Sequence, residues 1–171
     1  SIMYDSNGQV IAKLGAEKRE KVKYDELPQV LIDAIVSTED SRFYQHNGFD
    51  APRFFKATLK QLLGDNSAGG ASTLSMQVVK NSFTDASQDS GIKGIIRKFT
   101  DIYLAVFKLE KNYTKEEIIE FYVNNHYLGG NIYGVEEASQ AYFNKSVGEL
   151  NLSEATIIAG MFKNPGGYSP P

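Results

Sequence analysis

The sequence predicts a mainly α-helical domain that opens on a small N-terminal β-hairpin. Three observations support this. From Leu27 onward, apolar residues recur at three- and four-residue spacings, the period of a helix that turns one face inward. Helix punctuation falls between those stretches, with Pro28 and Thr114 near starts and Asn164-Pro165 at a stop. At the N-terminus, Ile2-Met3-Tyr4 and Gln9-Val10-Ile11 flank Asp5-Ser6-Asn7-Gly8, and Asn-Gly accepts the positive φ angles of a tight hairpin turn.

The first helix carries Leu27, Val30, Leu31, Ala34 and Ile35 on one face. Pro28 suits its first turn, where a missing N–H costs nothing. Glu39 falls near the C-terminal end of this helix. A second helix spans about Ala51 to Leu63, with Phe54, Phe55, Leu59, Leu62 and Leu63 serving either as core or as an apolar foot on a lipid surface, and Gly64 to Ala71 ends it. A third begins near Ser72 or Thr73, either a good N-cap, and sets Gln77 and Lys80 on one face. Thr84 to Gly91, rich in Ser and Asp, reads as a loop. Ile92, Ile95, Ile96, Phe99, Ile102, Tyr103 and Val106 then mark a long amphipathic helix, with Arg97, Lys98 and Asp101 largely off the stripe. Thr114-Lys115-Glu116-Glu117 is a capping box that opens a helix through Ile118, Ile119 and Tyr122. A final helix carries Ala155, Ile158, Ala159 and Phe162 up to Asn164-Pro165.

One domain accounts for 171 residues, and 42% hydrophobic content suffices for a core without metals or disulfides. The absence of cysteine excludes thiol catalysis and cysteine-ligated metals. A formal net charge of -3 argues against a general nucleic-acid partner, and the basic cluster from Lys18 to Lys23 reads as a solvated edge. No run approaches the roughly 20 apolar residues that cross a bilayer. The abrupt ends at Ser1 and Pro171 suggest a domain excised from a longer chain. His46 and His126 are too few and too far apart in sequence to suggest a metal site unaided.

Glu39 is the first candidate for chemistry. It follows Ile32, Ile35 and Val36 where an ordinary helix places another apolar residue. A carboxylic acid held against apolar neighbours is harder to ionise and can exchange protons near neutral pH. The bland alternative is a surface pair with Arg42, which contributes little. The continuation from Glu39-Asp40 through Phe43 and His46 to Asp50 tips the balance, because core-building sequence seldom packs acids, bases and aromatics so densely. Gly69-Gly70-Ala71-Ser72-Thr73 ahead of a helix reads as an anion cradle or as a plain tight turn. Arg97 and Lys98 either clamp a pyrophosphate or pair with Asp101 along their helix.

Four segments in order resemble the motifs of the peptidoglycan glycosyltransferases: Glu39-Asp40 through Asp50, Gly70 through Asn81, Arg97 through Asp101, and Glu120 through Gly129. The resemblance runs from about Ile2 to Pro171 and matches the glycosyltransferase domain of bifunctional penicillin-binding proteins or a monofunctional relative. It implies a lysozyme-like helical fold that polymerises lipid II at the outer face of the bacterial cytoplasmic membrane. Glu39 is then the base that deprotonates the acceptor hydroxyl, with Asp101 as a second catalytic carboxylate. The implied substrate-binding set is Asp40, Phe43, His46, Ser72, Thr73, Gln77, Lys80, Arg97 and Lys98, with Lys80 foremost on pyrophosphate. Glu120 and Asn124 join that set mainly as braces of the cleft. Implied partners are lipid II, the growing glycan chain and the membrane surface, and in the full protein a transmembrane anchor and a transpeptidase domain, with no nucleic acid. No cofactor is required, although a divalent cation such as Mg or Mn could join Asp101.

Two residues depart from the pattern. Asp101 stands where the family usually has glutamate, one methylene longer, and Met76 replaces a common glutamine, removing polar atoms. Two rival readings accompany the resemblance. A lysozyme-like hydrolase or lytic transglycosylase would also use a helix-borne Glu, but cleaving a glycan needs no cationic clamp. A silent scaffold that binds lipid II without turnover is the other, motivated by Asp101 and Met76.

Overall fold

The computed structural model describes residues 2–4, 10–13, 20–64, 70–83 and 91–168. Two short strands, β1 (Ile2–Tyr4) and β2 (Val10–Lys13), pair antiparallel. The turn anticipated at Asp5-Ser6-Asn7-Gly8 lies outside the described residues. The α-helices among the described residues are α1 (Gln29–Glu39), α2 (Ala51–Leu62), α3 (Leu74–Phe83), α4 (Gly91–Leu104), α5 (Glu110–Asn112), α6 (Lys115–Asn125), α7 (Val135–Phe143), α8 (Leu152–Lys163) and α9 (Pro165–Tyr168). A π-helical turn, Ala105–Leu109, joins α4 to α5.

The core forms where α1 packs along α8 and α3 along α6. From α1 it takes Leu31, Ile32, Ile35 and Val36, from α6 Ile118, Ile119, Tyr122 and Val123, and from α8 Ala155, Ile158, Ala159, Met161 and Phe162. The periodic stripes read from the sequence on these helices are therefore the buried ones. Pro28 sits at the N-cap of α1 in extended conformation. The anticipated capping box at α6 is present, with Glu117 N donating to Thr114 Oγ1 at 3.2 Å and Thr114 N donating to Glu117 Oε2 at 2.8 Å. At α3 the cap is Thr73, whose Oγ1 accepts from Met76 N at 3.2 Å.

Helix α4 behaves differently. Its apolar stripe faces outward, leaving Ile92 77%, Ile96 61% and Phe99 64% exposed, whereas Asp101 on the other face is buried. Helix α2 likewise leaves Phe55, Leu59 and Leu63 beside it exposed, so core packing is not their role. The side chain of Leu62 lies outside the described residues, as do residues 84–90 of the anticipated loop.

Helix α7 has no counterpart in the sequence reading. Its N-cap, Gly134, has φ of 88°, and a Cβ there would stand 2.9 Å from the Asn124 carbonyl oxygen. Only glycine lets the chain turn so close to the end of α6.

Candidate active site

One cleft of about 390 Å³ gathers side chains from four helices. The end of α1 contributes Glu39, the loop before α3 contributes Gly70 and Ser72, α3 contributes Met76, Gln77, Lys80 and Asn81, α4 contributes Gly94, Arg97, Lys98 and Asp101, and the end of α6 contributes His126. The acidic and cationic halves of the anticipated site thus share one cavity, although Glu39 and Asp101 are 62 positions apart in sequence.

Glu39 is half-buried, and its Oε2 accepts a hydrogen bond from Gln77 Nε2 at 3.1 Å. The pairing with Arg42 does not form, because Arg42 turns to Asp50 at 3.5 Å. One carboxylate oxygen of Glu39 is therefore held, and its residue remains a wall of the cleft.

The opposite wall is cationic. Lys98 Nζ donates to Ser72 Oγ at 2.5 Å, tying α4 to the loop before α3. Burial pushes the Lys98 ammonium below its usual range, a shift opposed by Asp101 and reinforced by Lys80 and Arg97. Burial pushes the Asp101 carboxyl upward, and Lys98, Arg97 and Lys80 hold it back. Asp101 Oδ1 has no hydrogen-bond partner among the described residues. Among the described residues, one acid and three cations, Lys80, Arg97 and Lys98, line this side of the cleft, a pattern suited to an anionic group.

Six residues of the anticipated set do not line the cavity. Asp40 is fully buried and accepts from Leu74 N at 3.0 Å and from His46 Nε2 at 3.0 Å, with Arg53 Nη1 at 3.5 Å. It seats the end of α1 against the start of α3, where the helix dipole favours an anion. Phe43 belongs to the core beneath Lys115, whose Nζ lies 4.2 Å from the ring centroid. Thr73 caps α3 and donates to the Gly48 carbonyl at 2.7 Å. Glu120 accepts from Lys23 Nζ at 2.9 Å and Tyr24 N at 3.2 Å, and Asn124 exchanges two 2.9 Å bonds with the Val22 backbone. Both hold the 20–24 segment against α6. The anion cradle ahead of α3 also changes character: the amides of Leu74 and Met76 already serve Asp40 and Thr73. Lys80 of α3 and Arg97 and Lys98 of α4 are the cations that line the cleft.

His126 is the site residue that sequence reasoning missed. Burial pushes its imidazole down to about 4, so the ring is neutral at physiological pH. Its Nε2 lies 3.1 Å from the Phe162 carbonyl, which only accepts, so Nε2 carries the proton. The signal available was its i, i+4 spacing from Tyr122, and the two rings do meet at 4.9 Å.

A family model described as Transglycosylase matches residues 7–171. The chain belongs to the transglycosylase family. The domain is 39% identical over 168 residues to penicillin-binding protein 1A of Neisseria flavescens, covering 98% of this chain and 20% of that protein. It is 38% identical to penicillin-binding protein 1A of Escherichia coli strain K12, covering 98% of this chain and 19% of that protein. The Streptococcus oralis protein of the same name is 38% identical over 170 residues, covering 99% of this chain and 26% of its own length. This transglycosylase domain therefore spans about a fifth to a quarter of the curated relatives it matches.

Proposed function

We propose that this domain polymerises lipid II into linear β-1,4 glycan strands of peptidoglycan. The observation that carries this reading is the division of one cleft into a carboxylate at Glu39 and a cationic wall of Lys80, Arg97 and Lys98. In the proposed reaction Glu39 takes the proton from the 4-hydroxyl of the acceptor sugar. The freed oxygen attacks the donor's anomeric carbon as the bond to pyrophosphate breaks. Attack from the face opposite the leaving group inverts the configuration, and undecaprenyl pyrophosphate departs. Positive charge develops at the anomeric carbon and negative charge on the leaving oxygens, so a base on one side and fixed cations on the other both act where charge appears. A glycan hydrolase would have no anion to place against the cationic wall.

Asp101 serves in this scheme by positioning Lys98 and Arg97. The residues around it do not suit a resident divalent cation, since three cations and one carboxylate repel Mg or Mn more than they hold it. No step is routed through a metal. A carboxylate at a helix end within a helical domain fits the lysozyme-like arrangement that the resemblance implies.

The exposed apolar faces of α2 and α4 support contact with the outer face of the cytoplasmic membrane. Among the described residues no helix is long and apolar enough to cross a membrane, so contact of these faces would be peripheral. The remaining length of the penicillin-binding relatives leaves room for an anchor and a transpeptidase domain in the whole protein.

The test is polymer formation from purified lipid II in detergent by this domain and by Glu39→Gln, which keeps the shape but cannot act as the base. Polymer from the first and a loss of about 1,000-fold in the second is expected. Lipid II binding by both without polymer from either would favour the silent scaffold.

A further inference from the structure

The geometry points to a positioning relay behind the cleft, in which the Tyr122 hydroxyl orients the Gln77 amide and that amide holds the Glu39 carboxylate. The relay rests on the reading of Glu39 as the base and adds a residue that reaches the base only through another.

A carboxylate accepts, so the nitrogen of Gln77 must be the atom that faces Glu39 Oε2 at 3.1 Å. Turned over, the same amide would set its oxygen against the carboxylate and repel it. Gln77 Oε1 points instead toward the Tyr122 hydroxyl at 3.5 Å. A carbonyl oxygen also only accepts, so Tyr122 donates. The contact lies at the long limit of a hydrogen bond.

Tyr122 is well placed for this task. Only 2% of it is exposed, and it is absent from the cleft wall, so it does not meet substrate. Burial raises its hydroxyl well above the ordinary tyrosine range and the Glu39 charge adds to the shift, so the proton needed for donation stays on the oxygen. Its ring stacks on Phe162 at 5.0 Å and meets His126 at 4.9 Å. His126 in turn donates to the Phe162 carbonyl. The hydroxyl is thereby fixed from α8, the helix that also packs along α1. Glu39 is supported along two routes: its own helix on α8, and its carboxylate through α3 and α6.

Tyr122→Phe keeps the ring and its stacking and removes only the donor. We expect kcat for lipid II polymerisation to fall about threefold to tenfold, the net effect of one hydrogen bond, with KM changed by less than about twofold. On a Gln77→Met background the same substitution should change kcat by less than about twofold, since there is no amide left to orient. Wild-type kcat in Tyr122→Phe overturns the relay. So does an equal loss in both backgrounds, or a loss confined to KM, each of which marks a packing role. If the wild-type domain makes no polymer, the polymerase reading falls and the relay falls with it, whereas an active wild type with an indifferent Tyr122 sinks the relay alone.

Discussion

Helices α1 and α4 carry the same sequence signature and face opposite ways. Each has a stripe of Ile with other apolar residues, and each delivers a carboxylate to the cleft, Glu39 from α1 and Asp101 from α4. Yet Leu31, Ile32 and Ile35 of α1 are 0–2% exposed, whereas Ile92, Ile95, Ile96 and Phe99 of α4 are 58–77% exposed. Periodicity identifies a face, and what waits on either side decides which face turns inward. For α1 the neighbour is α8, itself apolar. For α4 the neighbour is the cleft, which takes in Lys98 and Asp101 and leaves the isoleucines for another environment.

The largest effect should come from the buried stripe. Ile35→Ala is expected to destabilise the domain by about 2–5 kcal/mol, the usual range for truncating a fully buried aliphatic side chain, read as a shift in urea midpoint at constant m-value. An unchanged midpoint would remove the contrast between the two helices. Next comes the charged face of α4. Asp101→Ala should lower the polymerisation rate at least about tenfold by releasing the cations it positions, while Asp101→Glu should retain or improve turnover. Equal rates for all three proteins would take Asp101 out of the mechanism. The smallest effect on stability should follow Ile96→Ser, within about 0.5 kcal/mol because the side chain already meets solvent. The same change should weaken flotation with phospholipid vesicles several-fold, as expected when an apolar contact with lipid is lost. A midpoint shift as large as that of Ile35→Ala would show that α4 is packed after all.

The physical reason that some features were legible from the sequence lies in their range. Thr114 and Glu117 cap one another three residues apart, so the start of α6 could be read directly. Glu39 was legible as an acid on an apolar stripe, Lys80 as a cation sharing a helix face with Gln77, and Arg97 and Lys98 as adjacent cations off the apolar stripe of their helix. The partners of these residues were not, because they depend on contacts between distant segments. Nothing local in Asp40 says that it will seat the amide of Leu74, 34 positions away. His126 likewise looked like a lone histidine until the fold set Phe162 beside it. Helix α7 was missed because its start depends on a glycine packed against the Asn124 carbonyl, a tertiary contact with no periodic signature.

The π-helical turn after α4 has one more consequence. Asp101, Ala105 and Leu109 are all buried, at intervals of four. In a straight α-helix such a row drifts steadily around the axis, because four residues overshoot one circuit. A π turn takes more residues per circuit and cancels part of that drift. The acid of the cleft and the leucine of the core thereby keep to one edge of a single rod. Gly48 marks the spot from outside, since a Cβ there would stand 2.9 Å from the Ala105 carbonyl carbon and oxygen. The number of residues between Asp101 and Leu109 acts as a gauge: side chains along it can be exchanged, but losing one residue would rotate the cationic wall away from the base it faces.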